Sequence, residues 1–241
     1  MAASGQRHMA IDNWLFQQHC AARHPATLRF YTWSPVAISL GYHQRRYPTH
    51  WDNLRWQDRP VDLVRRPTGG RAVLHQGDLT YAVVVSGLSG NRRQGYEAIC
   101  RFLIAGWQRL GVSLSYGTAQ RSEGPSPNCF ATATTADLIT PSGEKLIGSA
   151  QRRDRNTVLQ HGSMRLIPDP ALFQAIFGPD STPAPLGQPL LPQALGQLSP
   201  DQLHHQVMDA LVTAAAATFQ ADFVVAPLSP EEIDRALAAA H

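Results

Sequence analysis

The spacing of hydrophobic and polar positions predicts helices at the start and in the middle of the chain. Apolar side chains recur every three or four residues over 94–110, so a stripe from Tyr96 to Leu110 falls on one helix face. A weaker form of the same pattern predicts a helix over residues 8–21. Cys100 lies inside the first stripe, and we therefore interpret it as a core thiol rather than a nucleophile.

Short runs of β-branched, aromatic and apolar residues predict strands between and after these helices. Turn-forming residues separate several of the runs, as Ser34-Pro35 and Pro141-Ser142-Gly143 do. The run 81–85 is apolar without interruption, which predicts a strand buried on both faces. The predicted strands are Thr27–Trp33, Val36–Gly41, Val61–Arg66, Leu79–Ser86, Leu138–Thr140, Lys145–Gly148 and Val158–His161.

The last third of the chain is predicted to be helical on both sides of an irregular connection. Residues 170–177 predict a short helix, and residues 178–198 form a Pro- and Gly-rich connection that we do not interpret as a domain border. Two helices are predicted within 199–241, because a Ser-Pro pair begins a capping signature at each of their starts. Strands in the middle with helices around them predict an α/β or α+β fold.

Composition limits the classes of protein to which the chain can belong. It has 241 residues, of which 43% are hydrophobic and 16% charged, so a substantial core is expected and wholesale disorder is not. No apolar run is long enough to span a membrane, and the start lacks the apolar stretch of a secretory signal. The 3 cysteines are widely spaced and match neither a disulfide framework nor a zinc site, so we expect a cytoplasmic protein.

The basic residues are unusual in kind. Of the 21 Lys and Arg residues, only Lys145 is a lysine. Arginine replaces lysine readily on a solvated surface, but poorly where a compact ammonium must occupy one point. The small residues Gly148-Ser149-Ala150 follow Lys145 closely, and small residues permit the close approach of a substrate chain. We therefore interpret Lys145 as a functional ammonium that holds a carbonyl oxygen or a phosphate, with a chance surviving surface lysine as the alternative.

A second candidate is the segment Arg65–His75, which reads RRPTGGRAVLH. Its adjacent glycines allow backbone conformations with positive φ and close approach of a ligand, and its three arginines suit a phosphate or a carboxylate. The alternative is a Gly-Gly turn between two strands with arginines on the surface. The spacing fits neither a Walker-type phosphate loop nor a dinucleotide-binding loop.

Two further residue types could carry chemistry. Cys129 lies in a Pro-, Ser- and Gly-rich stretch outside any helical stripe, so it is a candidate nucleophile on an accessible loop. An inert loop cysteine is the alternative, since no base is adjacent in sequence. His75 and His161 are candidate bases, although most histidines are structural or face solvent. The net charge of +3 permits an acidic protein partner without requiring nucleic acid.

Together these segments resemble the lipoate–protein ligase and octanoyltransferase family, relatives of the biotin protein ligases. The resemblance covers roughly residues 8–168. The matching segments are Met9-Ala10-Ile11-Asp12 in the opening helix, Leu28–Pro35 and Ser39–Gln44 in the first strand pair, Arg65–Gly70 with His75, and Lys145 with Gly148-Ser149-Ala150. The resemblance implies the α/β catalytic domain of that superfamily, a mixed sheet flanked by helices. Residues 1–241 would then be a single catalytic domain ending in the helices of 199–241.

Within this family three features resemble the cysteine-dependent octanoyltransferases more than the ATP-dependent ligases. Arg71 stands where ligases usually have a third glycine, and Ala136-Asp137 stands where they usually have Asn-Asp. The segments around Cys129, Gly148–Arg153 and Leu159–Ser163 also resemble the transferases. The implied reaction moves octanoate from acyl carrier protein, through a cysteine thioester, to a lysine of a lipoyl domain or of the glycine cleavage H protein, in lipoate biosynthesis. It requires no cofactor and no metal, whereas a ligase would need ATP and magnesium.

The resemblance also implies roles for individual residues. Cys129 would carry the acyl group, and Lys145 would hold the thioester carbonyl. The implied substrate-binding residues are Arg65, Arg66, Thr68, Gly69, Gly70, Arg71, His75, Gly148, Ser149, Ala150, His161 and Gly162. The alternatives are an ATP-dependent lipoate–protein ligase, a transferase that moves octanoyl between lipoyl proteins, and a non-catalytic protein that sequesters acyl or lipoyl carriers. No membrane or nucleic-acid partner is expected.

Overall fold

A computed structural model describes residues 2–117, 137–178 and 191–239 of the chain. Cys129, Ala136 and most of the predicted connection over 178–198 lie outside the described residues. None of the helices in these three ranges combines the length and the apolar character needed to cross a membrane.

The described elements are six α-helices, a 3₁₀ turn at Thr49–Trp51 and twelve strands. The helices are α1 Gly5–Cys20, α2 Arg92–Arg109, α3 Pro170–Phe177, α4 Gln193–Gly196, α5 Pro200–Phe219 and α6 Pro230–Ala238. The strands are β1 Ala2–Ala3, β2 Thr27–Trp33, β3 Ala37–Leu40, β4 Arg55–Trp56, β5 Arg59–Pro60, β6 Asp62–Arg65, β7 Val73–His75, β8 Asp78–Ser86, β9 Ser115–Tyr116, β10 Asp137–Ile139, β11 Lys145–Asp154 and β12 Thr157–Arg165.

The strands form a large mixed sheet and a small one. The large sheet has seven strands in the order β1-β2-β8-β12-β11-β10-β9, antiparallel except between β1 and β2. The small sheet has the order β6-β3-β7, with β3 parallel to β6 and antiparallel to β7. Strands β4 and β5 form a separate antiparallel pair. A mixed sheet flanked by helices confirms the predicted α/β (α+β) class.

The central strand β8 is buried on both faces, as its apolar run predicts. Tyr81 and Val83 belong to a hydrophobic cluster with α2 and α5 on one side of the large sheet. Ala82 and Val84 belong to a second cluster with α1 and α6 on the other side. Because successive side chains of a strand point to opposite faces, this single strand joins both halves of the core.

Side-chain caps determine where the helices begin. Ser199 and Ser229 form capping boxes with Gln202 and Glu232, which confirms the predicted starts of α5 and α6. Helix α2 begins before its apolar stripe, because Asn91 forms a capping box ahead of it. Helix α1 likewise starts before the predicted residue 8.

The hairpin β11–β12 is much longer than predicted. Its register runs from Ile147 paired with Met164 to Asp154 paired with Thr157. The polar run Gln151–Arg153 carries no strand pattern, so the sequence indicates only the apolar beginning of β11. Backbone pairing with β12 extends the strand through these polar residues.

A close backbone contact joins the small sheet to the glycine loop. A Cβ atom added to Gly41, just after β3, would lie 1.8 Å from the carbonyl oxygen of Gly70. We expect Gly41→Ala to lower the free energy of unfolding by about 1–3 kcal/mol, because the loop must move away. Urea denaturation measures this loss.

Gly69→Ala is the matched control for this substitution. No atom lies within 4 Å of a Cβ added at Gly69. We expect this variant to unfold within about 0.5 kcal/mol of the parent protein. Equal losses in the two variants would contradict the close contact at Gly41.

Candidate functional site

A narrow pocket lies between the glycine loop and the large sheet. Eight of the residues predicted for the site line it: Arg66, Gly70, His75, Gly148, Ser149, Ala150, His161 and Gly162. Sequence reasoning missed the other lining residues, Met9, Tyr31, Trp33, Ser39, Val73, Thr80 and Ser163. Thus the structure brings together segments that are far apart along the chain.

The glycine loop connects β6 to β7, and Arg66 holds its backbone. The buried guanidinium of Arg66 donates to the carbonyl oxygens of Ser39 at 2.7 Å, Gly69 at 2.8 Å and Arg71 at 2.7 Å. Arg65 donates from Nη1 to the carbonyl oxygen of Gly41 at 2.7 Å. Arg66 therefore shapes the glycine loop, and Arg65 holds the segment that follows β3. The sequence pattern indicated neither role.

His75 is fixed on three sides in the wall of the pocket. Its Nδ1 donates to Asp78 at 2.9 Å, and its Nε2 accepts from the Ser39 hydroxyl at 2.8 Å. Its ring stacks on Trp33 with 3.8 Å between the ring centroids. Burial lowers the pKa of His75 despite the neighbouring Asp78 carboxylate. The ring is therefore neutral near pH 7, with both nitrogens engaged.

His161 is held in a similar way from helix α1. Its Nδ1 donates to Asp12 at 3.0 Å, and its Nε2 accepts from the Thr68 hydroxyl at 2.6 Å. Asp12 is fully buried and also accepts from Tyr31 at 2.7 Å and from Arg29. Burial acts to raise the pKa of Asp12, but Arg29 and the other donors hold it below its usual value. The glycine loop is thus tied to the helix through one imidazole.

The remaining polar groups of the pocket wall are also satisfied by one another. The hydroxyls of Thr80 and Ser163 donate to Asp78 at 3.0 Å and 2.6 Å. The indole of Trp33 donates to Thr80 at 2.8 Å. Because these groups satisfy each other, the pocket offers mainly carbon surface to a ligand, as a site for an aliphatic chain requires.

Lys145 begins β11 and forms a buried ion pair. Its Nζ lies 2.8 Å from Oδ1 of Asp137 in the neighbouring strand β10, and both side chains are less than 5% exposed. Lys145 is not among the residues that line the pocket. It lies three residues, or about 10 Å along β11, before the lining residue Gly148. The sequence pointed to Lys145 as a functional ammonium and to Asp137 as the residue at the Asn-Asp position of the ligases, but not to the pairing of the two.

Substitutions in the Lys145–Asp137 pair test how much the buried pair stabilises the fold. We expect Asp137→Asn to lower the free energy of unfolding by about 3 kcal/mol, because a buried ammonium loses its compensating charge. Chemical denaturation measures the change. The double variant Asp137→Leu/Lys145→Met should recover most of that loss, and a single-variant loss below about 1 kcal/mol would contradict the burial of the pair.

Buried histidines predict how stability depends on pH. Burial and the nearby Arg29 lower the pKa of His8 to about 4, from 6.5 in the unfolded chain. Between these values the unfolded chain binds a proton that the folded protein does not. The stability that depends on neutral His8 is therefore fully present above pH 6.5 and is lost as the pH falls toward 4.

We expect the titration of His8 alone to lower the free energy of unfolding by about 2 kcal/mol between pH 7 and pH 5. Urea denaturation at several pH values measures this slope. His8→Gln removes this titrating group and should make the slope shallower, while the lowered pKa of His75 keeps part of it. An unchanged slope in the variant would show that His8 does not titrate in this way.

Comparison with known proteins places this fold and pocket in a family. A family model described as the lipoyl protein ligase A/B catalytic domain matches residues 4–215. The chain is 39% identical over 183 residues to a protein named octanoyltransferase LipM from Kyrpidia tusciae, covering 71% of this chain and 66% of that one. It is 38% identical over 188 residues to the protein of that name from Brevibacillus brevis, covering 73% and 67%. The chain thus spans about two thirds of the length of these relatives.

Solved structures share the fold. A lipoate-protein ligase A crystallised with ATP superposes with a TM-score of 0.75 and 19% identity, covering 99% of this chain and 91% of that one. A protein from T. acidophilum with bound lipoic acid gives a TM-score of 0.73 over the same shares, also at 19% identity. At this identity the likeness concerns the fold alone. The family model and the curated relatives confirm the resemblance found in the sequence: the chain belongs to the lipoyl protein ligase A/B catalytic-domain family.

Proposed function

We propose that this protein is an octanoyltransferase of lipoate biosynthesis. It would take an octanoyl group from acyl carrier protein and pass it to a lysine of a lipoyl domain or of the glycine cleavage H protein. The observation that carries the proposal is the identity of 38–39% to curated octanoyltransferases over about 70% of the chain. The proposal treats residues 1–241 as a single catalytic domain.

The chemistry of the pocket supports an acyl substrate. Its polar wall groups bond to one another, and Met9, Trp33 and Val73 supply apolar surface. Gly162 has no room for a side chain at this point of the wall, because an added Cβ would lie 2.5 Å from the Ser149 hydroxyl oxygen. A saturated chain fits such a site, whereas a nucleotide would need unsatisfied donors and acceptors in the wall. Of the residues that we predicted to bind substrate, the eight that line the pocket would hold the octanoyl chain.

The reaction would proceed through two acyl transfers. The Cys129 thiolate attacks the carrier thioester, forming an enzyme thioester and releasing the carrier thiol. The lysine amine of the acceptor then attacks that thioester, giving an amide, and the Cys129 thiol is released. The family resemblance gives Lys145 the role of stabilising the oxyanion of each tetrahedral intermediate, for which its ammonium would have to reach the thioester from its pairing with Asp137. The starting thioester is already activated, so neither ATP nor a metal is needed.

An ATP-dependent lipoate ligase is the second candidate, and the fold shared with an ATP-bound ligase favours it. Two features argue against it. The polar side chains of the pocket wall bond to one another and leave few donors for a nucleotide. Asp137, at the position of the ligase acidic residue, is paired with Lys145 at 2.8 Å. Magnesium would therefore compete with the buried ammonium for this carboxylate.

Intact-protein mass spectrometry tests the proposal. We expect the protein mixed with octanoyl-acyl carrier protein, without ATP, to gain one octanoyl group that hydroxylamine removes. Cys129→Ala should gain none, because the thiol that would carry the group is missing. Cys20→Ala is the control, since it removes an exposed thiol and should gain the group normally.

Two results would contradict the proposal. The first is a full adduct in Cys129→Ala, which would exclude this cysteine as the acyl carrier. The second is the absence of an adduct together with modification of a lipoyl domain only when ATP and free lipoate are supplied. The second result would make the protein a ligase.

A further inference from the structure

A larger and more open groove lies beside the acyl pocket. It runs between helix α1, strand β6 and the start of the glycine loop. Its polar lining residues are Ser4, Gln6, Asn13, Tyr42, Asp62, Arg65, Arg66 and Arg152. Neither the acyl chain nor the catalytic residues proposed above account for this groove.

The groove continues from the pocket along three walls. On β11, Gly148 and Ala150 line the pocket while Arg152 lines the groove, and alternate residues of a strand share one face. On α1, Met9 lines both spaces, and Asn13, one turn later, lines the groove. Arg66 lines both spaces from the loop side. The rest of a molecule whose acyl end fills the pocket would therefore extend along the groove.

Arg152 is well placed to meet an anion in this path. Its Nη1 donates to Asn13 at 2.9 Å, and its guanidinium lies 5.0 Å from the centre of the Phe16 ring. These contacts orient the group, and its other nitrogens bond to no described side chain. The groove also contains Arg65, while Asp62, the one carboxylate among its described lining residues, accepts the backbone N–H of Gly5 at 2.9 Å. The balance of charge is positive.

We propose that the groove binds the phosphate-bearing thioester arm of the acyl donor, and that Arg152 binds its phosphate. The proposal rests on the transferase function, since it extends the same acyl site toward the carrier. A guanidinium suits a phosphate because it offers several N–H donors in one plane. The arm of a carrier protein has this chemistry: an amide-containing chain with the acyl thioester at one end and a phosphodiester at the other.

Binding of thioether analogues tests the proposal without requiring transfer. The probes are S-octyl-phosphopantetheine and S-octyl-pantetheine, which differ only in the phosphate. We expect the parent protein to bind the phosphorylated probe about tenfold more tightly, and Arg152→Ala to lose that preference by losing about tenfold in affinity for this probe alone. Isothermal titration calorimetry measures both dissociation constants.

Arg153→Ala is the matched control, because Arg153 lies on the opposite face of the same strand and does not line the groove. It should keep the preference for the phosphorylated probe. The thermal unfolding midpoint of both variants shows that each is folded.

Three results would overturn the proposal. They are equal binding of the two probes by the parent protein, an unchanged preference in Arg152→Ala, and an equal loss of preference in Arg153→Ala. A rise in KM for the lipoyl-domain acceptor in Arg152→Ala, with donor binding unchanged, would instead assign the groove to the acceptor. If the preference is seen but no octanoyl transfer occurs, the transferase function fails while the assignment of the groove stands.

Discussion

The candidate site depends on one buried charge, the carboxylate of Asp12. It lies inside the protein with no solvent exposure and is stabilised by Arg29, Tyr31 and His161. Through His161 it reaches Thr68 in the glycine loop. An isolated buried carboxylate would be strongly destabilising, so all of its donors must be in position before the charge is tolerated. Folding of the helix, the sheet and the loop is coupled at this point.

The same coupling explains how a wall made largely of polar residues can surround an apolar pocket. Asp78 accepts from His75, Thr80 and Ser163, in an arrangement parallel to that around Asp12. Each carboxylate accepts hydrogen bonds from the donors around it, so few unbonded polar atoms in the pocket wall remain for a ligand. The pocket thereby offers mainly carbon surface, because the donors in its wall are already bonded to other groups of the wall.

The sequence predicted those helices and strands that are determined by residues close together along the chain. The stripe of α2, the uninterrupted run of β8 and the caps at Ser199 and Ser229 all depend on neighbours within a few residues. Elements that depend on distant partners were missed or shortened. The short strand β7 exists because β3 pairs with it, and β11 extends through polar residues because β12 pairs with them.

The sequence by itself determined the α/β class, the family and the segments that contribute to the pocket. It could do so because each motif carries its chemistry in adjacent residues, as the glycine loop and Gly148-Ser149-Ala150 do. Only the tertiary structure decided what each side chain contacts: Lys145 pairs with Asp137, and Arg66 holds loop carbonyls rather than facing outward as a ready anion site. Such pairings join residues from different strands and loops, and their energies depend on burial and distance, which no local pattern encodes.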